Sequence, residues 1–155
     1  MAGKIEARLA ELGVTLPEAP TPVANYVPYT IGGDTVYIAG QVPFVDGAIK
    51  HKGRVGETFT VAQAKQIARI CGLNIIAQVK AACGGDLDRV VRCLKLGGFV
   101  ACIDGFGEQP EVVNGASELM VEVFGEAGRH ARSAVGTNAL PRNVPVEIDA
   151  IFEIA

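Results

Sequence analysis

The sequence predicts an α+β fold, a sheet of about six strands with two long helices on one face, plus a short N-terminal helix. Three observations lead there. Residues 60–83 repeat apolar side chains at helical spacing, residues 145–155 alternate them at strand spacing, and the elements come in the order β-β-β-α-β-α-β-β.

Ile5, Leu9 and Leu12 recur at helical spacing, and Gly13 offers a stop. Pro17, Pro20 and Pro22 punctuate the next stretch, so residues 1–22 read as an N-terminal helical extension and linker. Residues 23–155 read as one further domain. Strands are expected at 26–31 and 35–39 around a hairpin-type turn, Gly32-Gly33-Asp34. Gly40-Gln41-Val42-Pro43 ends the second strand, because Pro43 cannot donate to a ladder. A turn at Asp46-Gly47 leads into a short third strand running toward His51.

Thr60-Val-Ala-Gln63 fits a capping box, in which Thr60 and Gln63 satisfy each other's exposed amides at a helix start. Val61, Ala64, Ile67, Ala68, Cys71, Ile75 and Val79 then form the apolar stripe, and Gly84-Gly85 closes the helix by allowing a left-handed backbone. Residues 88–104 read as strand, with a bulge or bend expected at Gly97-Gly98. Pro110 suits the first turn of the second helix, whose apolar face includes Val113, Leu119, Met120, Val123 and Phe124, with a stop at Gly128. Two strands close the chain, at 133–137 and 145–155. In the last, Val146, Ile148, Ala150, Phe152 and Ile154 share one face, while Glu147, Asp149 and Glu153 share the other, interrupted by Ile151. A partly apolar second face needs a surface to cover it, which points to oligomerisation.

The chain has 155 residues, the size of one domain, and its 49% hydrophobic and 20% charged composition argues against disorder. Fourteen basic residues against seventeen acidic ones, with a pI near 5.4, oppose a nucleic-acid groove. Aromatics at 6% and the absence of Trp oppose a base-stacking platform. No apolar run reaches membrane-spanning length, and the charged start lacks the apolar centre of a secretory signal, so a cytoplasmic protein without membrane partners is expected. Cys71, Cys83, Cys93 and Cys102 show no CxxC spacing and are expected to be reduced and buried. No glycine pair forms a phosphate loop, and neither His51 nor His130 sits with a nucleophile elbow or metal-ligand spacing. Both histidines are expected at the surface, and no metal or organic cofactor is expected. Arg132, directly before an apolar strand, and Asp149, mid-strand, read by composition alone as solvated charges.

Together, Ala131-Arg132-Ser133 with its strand, Leu140-Pro141, and Val146-Glu147-Ile148-Asp149-Ala150 resemble the C-terminal signature of the Rid family. These are the reactive-intermediate imine deaminases, also called YjgF-like and, in older usage, L-PSP endoribonucleases. Tyr29 with its strand, and Ala39-Gly40-Gln41-Val42-Pro43, resemble the family's segment before its first long helix, and Asn114 matches an asparagine in the second. The resemblance spans residues 26–152. It implies a chorismate-mutase-like fold with a mixed sheet, assembled as a homotrimer with clefts between subunits. It further implies that Arg132 grips a substrate carboxylate, work suited to a planar fork that donates two parallel hydrogen bonds. Ala39 and Gly40 would offer backbone to the ligand, Tyr29 and Asn114 would line the cleft, and Asp149 would position or activate water.

Four departures stand out. Ala134 occupies a position where many members carry cysteine, which excludes thiol chemistry there. Asp149 is one methylene shorter than the usual glutamate. His130 stands where proline or alanine is common, and the N-terminal helix is an addition. The implied activity is hydrolytic deamination of a small 2-imino or enamine acid to a 2-keto acid and ammonia. The alternative from another class is a non-catalytic trimer that binds a small carboxylate metabolite. RNA cleavage, suggested by the older family name, is opposed by the acidic pI and the scarcity of aromatics.

Overall fold

Alternation along the last strand and the stripe on the first long helix meet face to face, and the core lies between them. The computed structural model describes residues 3–22 and 24–155; Met1 and Ala2, which open the expected extension, and Val23, which opens the expected domain, lie outside the described residues. In chain order the elements are α1 (Lys4–Leu12), β1 (Tyr29–Gly32), β2 (Thr35–Gln41), β3 (Phe44–Val45), β4 (Ala48–Ile49), α2 (Val61–Ala82), β5 (Val90–Ala101), α3 (Gln109–Phe124), β6 (Ala131–Thr137) and β7 (Val146–Ile154).

Among the described residues, five strands form one mixed sheet in the order β1-β2-β7-β5-β6. All neighbours are antiparallel except β5 and β6, whose parallel pairing requires a crossover, supplied by α3. The expected third strand toward His51 is instead a separate hairpin of β3 and β4. Asp46 and Gly47 turn it with φ of 51° and 77°, so the short segment closes on itself rather than extending the sheet.

The capping box at Thr60 forms as expected: Gln63 N–H donates to Thr60 Oγ1 at 3.2 Å, and Thr60 N–H donates to Gln63 Oε1 at 2.9 Å. From there α2 runs over β2 and β7, while α3 covers β5 and β6 on the same side of the sheet. Phe152, Ile148, Leu96, Ile75, Ile76, Leu119 and Met120 are fully enclosed between sheet and helices. The N-terminal helix is fastened to this body. Leu9 is buried, Asp88 accepts from the Lys4 and Ile5 amides at 2.9 Å each, and Lys80 pairs with Glu6 at 2.8 Å. The linker after it is held by the buried Gln78, whose Nε2 donates to Pro20 O at 2.6 Å.

Two glycine expectations are corrected. Gly97 and Gly98 lie in unbroken pairing; the irregularities of β5 fall between Val90 and Arg92 and between Cys93 and Lys95. Close approach is the reason for these glycines. A Cβ on Gly97 would meet the Asp149 carboxylate, and one on Gly98 would meet the Val113 side chain of α3. The second helix ends at Phe124 rather than Gly128, and residues Gly125–Gly128 tighten into a short 3₁₀ turn. All four cysteines are free and buried. Burial raises the Cys71 thiol far above its ordinary value and pushes Cys93 up to about 12, which keeps both protonated and unreactive.

The side of the sheet away from the helices carries Tyr37, Phe99 and Val135 at 51%, 37% and 46% exposure, alongside Ile151. Glu147 and Asp149 stand on this same open side, because they alternate with the buried Val146, Ile148 and Ala150.

Candidate active site

The end of β2 is bent by a bulge. Pairing with β7 passes from Ile38–Ala150 to Gln41–Ile148, so Ala39 and Gly40 together face the single residue Asp149. Gly40 is glycine for a spatial reason: a Cβ there would lie 2.8 Å from Glu147 Oε2. Its absence lets the Glu147 carboxylate lie against exposed backbone. Gln41 steadies the bulge by donating from Nε2 to Ala39 O at 2.9 Å. The result is a cleft of about 170 Å³ lined by Ala39, Gly40, Gln41 and Glu147, with Tyr26 and the Pro20–Pro22 linker along its rim.

Glu147 and Asp149 are both half-buried, and both carboxyls are held above the ordinary carboxylate range. For Glu147 the cause is burial first and then the charge of Asp149. For Asp149 it is burial, opposed by a hydrogen bond from the Gly97 backbone and by the Lys95 charge. A carboxyl held readier to take a proton suits proton transfer.

A second cluster gathers where β6 meets α3. Arg132 pairs with the buried Leu96 and therefore projects on the helix-bearing side of the sheet. Its Nη1 donates to Ser117 Oγ at 3.1 Å, Ser117 Oγ lies 2.9 Å from His130 Nε2, and His130 Nδ1 lies 2.7 Å from Gly128 O. Asn114, one turn before Ser117 on α3, shares the concavity of about 560 Å³ that these residues line. Burial, and then the Arg132 charge, lower the His130 pKa against the opposing effect of its bond to Gly128.

The expected site residues therefore divide. Ala39 and Gly40 belong to the first cleft, and Asn114 and Arg132 to the second. Asp149 shares a sheet face with Glu147 but lies over Gly97. Tyr29 packs against the core and lines neither concavity, whereas Tyr26 lines the first. Three contributors were given no site role by sequence. Glu147 precedes Asp149 by two on the same strand face. Ser117 comes three residues after Asn114 on the same helix face. His130, expected at the surface, is instead half-buried in a hydrogen-bonded chain. For Glu147 the sequence offered a direct signal, its place within the matched acidic strand, and for His130 its departure from the residue common at that position.

The two clusters cannot meet within one chain. The first cluster sits on β2 and β7 and the second on β6; at the usual strand spacing β2 lies about 14 Å and β7 about 10 Å from β6, with β5 between. Moreover, Arg132 lies on the helix-bearing side and Glu147 on the open side. Among the described residues, no group of three or more His, Cys, Asp or Glu side chains could hold a metal ion, and no helix is long and apolar enough to cross a membrane.

The family described as "YjgF/chorismate_mutase-like, putative endoribonuclease" matches residues 6–152. Protein TCP17 of Trypanosoma cruzi is 44% identical over 154 residues, covering 99% of this chain and 96% of that protein. A 2-iminobutanoate/2-iminopropanoate deaminase of Dermatophagoides farinae is 30% identical over 141 residues, covering 91% and 94%. Among solved structures, protein Atu1372 of Agrobacterium tumefaciens, of unknown function, superposes with a TM-score of 0.91 at 54% identity, covering 97% of this chain and 92% of that one.

Proposed function

The chain belongs to the YjgF/chorismate-mutase-like family, and on that premise we propose that it hydrolyses small 2-imino acids, or their enamine tautomers, to 2-keto acids and ammonia. The reaction takes place in clefts between neighbouring copies of a closed homotrimer. One observation carries this reading: the guanidinium and the carboxylate that the chemistry needs stand on opposite sides of the same sheet, so a second copy must bring them together. The apolar open face, with Tyr37, Phe99 and Val135, is the surface that assembly would bury. The 30% identity to the Dermatophagoides deaminase supports the substrate class.

In the assembled cleft Arg132 of one protomer holds the substrate carboxylate through its fork, and Gly40 of the neighbour presents open backbone beside the imine. Of the two acids, Glu147 faces that cleft and acts on water, the role the sequence assigned to Asp149; Asp149 serves by keeping the Glu147 carboxyl high. Glu147 takes a proton from water as the water oxygen attacks the carbon of the N-protonated imine, and the C=N electron pair moves to nitrogen, giving a neutral carbinolamine. Glu147 returns that proton to the amine; the C–N pair leaves with ammonia as the hydroxyl O–H pair closes the keto C=O, and the hydroxyl proton passes back to Glu147 and on to solvent. Such imines also hydrolyse unaided in water, so orientation and one proton relay suffice, and the cycle consumes no cofactor.

The test is a coupled assay that generates imines from several amino acids and tracks their disappearance with and without the protein. Faster loss supports the enzyme. Binding of 2-keto acids without any acceleration would instead favour the non-catalytic metabolite binder. Light scattering should give about three times the 16.2 kDa chain mass. A stable monomer at micromolar concentration would remove the shared cleft and the mechanism with it.

A further inference from the structure

We infer that Ser117 and His130 are positioning residues for Arg132, a hydrogen-bonded relay that fixes which edge of the guanidinium a carboxylate meets. This rests on the reading of Arg132 as the carboxylate clamp and assigns the groups that orient it. The direction of each bond is dictated by chemistry. Gly128 O can only accept, so His130 must carry its proton on Nδ1. A neutral ring protonated there leaves Nε2 as an acceptor, so the Ser117 hydroxyl donates to it. With its proton committed, Ser117 Oγ turns its lone pairs to Arg132 and accepts from Nη1. Arg132 Nε and Nη2 have no partner among the described residues, which leaves the Nε–Nη2 edge as the pair of parallel donors offered to a ligand.

A serine beside a histidine ordinarily suggests a nucleophile. Here the far nitrogen of the ring meets a backbone carbonyl rather than an orienting carboxylate, and the serine oxygen already accepts from a cation. The pair is built to hold, not to attack. Protonating His130 would turn Nε2 into a donor, reverse the serine hydroxyl and place a second cation beside Arg132. Other charges around the ring are Arg129 on its own segment and Glu118 and Glu122 on α3. Both acids are already paired to α2, with Lys65 and Arg69. The neutral ring protonated on Nδ1 is therefore the form that turns the Ser117 lone pairs to Arg132.

The experiment uses the intact assembly and pyruvate as the probe, with affinity read by calorimetry and assembly checked by light scattering. Ser117→Ala should weaken pyruvate binding about tenfold, the effect of losing one hydrogen bond to a charged group. In turnover it should raise KM and leave kcat close to wild type. Ser117→Thr, which keeps the hydroxyl, should restore affinity. In parallel, ¹⁵N NMR of the wild type should show neutral His130 protonated on Nδ1, a readout that needs no variant to fold. Wild-type affinity in an assembled Ser117→Ala protein, or a His130 proton on Nε2, overturns the relay. Arg132→Ala separates the two levels: if it loses affinity where Ser117→Ala does not, the relay alone fails. If Arg132→Ala keeps affinity, the carboxylate clamp fails and the relay with it.

Discussion

Two variants that each lack one half of the cleft should rescue one another when mixed. Arg132→Ala removes the clamp on β6, and Glu147→Gln removes the acid on β7, so each pure variant lacks the same three sites in a trimer. Losing a charge-assisted carboxylate pair costs roughly 2–4 kcal/mol of transition-state stabilisation, about a thirtyfold to several-hundredfold fall in rate. In the trimer proposed above, randomly assembled from both variants, each cleft would draw its Glu147 half from one copy and its Arg132 half from the next. Half the copies supply an intact acid and half an intact arginine, so about one quarter of clefts are complete. Equal amounts co-denatured and refolded together should then recover about one quarter of wild-type turnover per chain, at least severalfold above either parent. Imine loss measures the rate, and light scattering confirms that parents and mixture are equally assembled. A mixture no faster than the mean of its parents would mean that each site is complete within one chain, and shared clefts built from opposed sheet faces would be refuted.

The same geometry sets further outcomes. Gly40→Ala places a Cβ 2.8 Å from Glu147 Oε2, the movable end of a side chain, so turnover should fall while the thermal midpoint shifts little in a melting scan. Glu147→Gln should raise the melting temperature at pH 7 yet lower turnover. Burial, reinforced by Asp149, raises this carboxyl in the folded state, so folding favours its neutral form. That stabilisation is present below the unfolded carboxyl pKa and is lost as pH rises through the higher folded value. The stability gain of the glutamine variant should therefore vanish near pH 3, and an equal gain at both pH values would contradict the assignment. Alkylation under denaturing conditions should add four labels per chain by intact mass, since Cys71, Cys83, Cys93 and Cys102 are free; fewer labels would indicate disulfides or bound metal.

Legible in the sequence was whatever repeats along the chain. Helix α2 announced itself by its capping box and stripe, and β7 by strict alternation, because both signals belong to single elements. The bulge at Ala39–Gly40 was hidden, since a bulge is defined by what the partner strand does. Gly97 and Gly98 misled for a related reason: their cause is an Asp149 carboxylate and a Val113 side chain arriving from other elements, and local sequence knows neither. Glu147 was visible as one of three acids on a face, yet only its seat against Gly40 distinguishes it from Asp149. The division of the site between two sheet faces depends on the register of β6 with β5, fixed by a parallel pairing across the α3 crossover. His130 looked like a surface residue because its partners, Ser117 and Gly128, are on a helix and a turn whose placement is set by that same crossover.

Strand β7 is the last in chain order and yet lies in the middle of the sheet, between β2 and β5. Before residues 146–154 are in place, β1–β2 and β5–β6 are separate ribbons, each with an unpaired edge of the kind that invites pairing with other chains. A nascent polypeptide thus carries two half-sheets until residues 146–154 emerge, and closing that gap bridges the long separation between residues 40 and 147. The strand that welds the halves also brings Glu147 against Gly40. The clamp half draws on β5, α3 and β6, all of which precede β7 in the chain. The acid arrives only with the stroke that completes the sheet, so a copy that has not finished folding exposes sticky edges but holds no finished acid half.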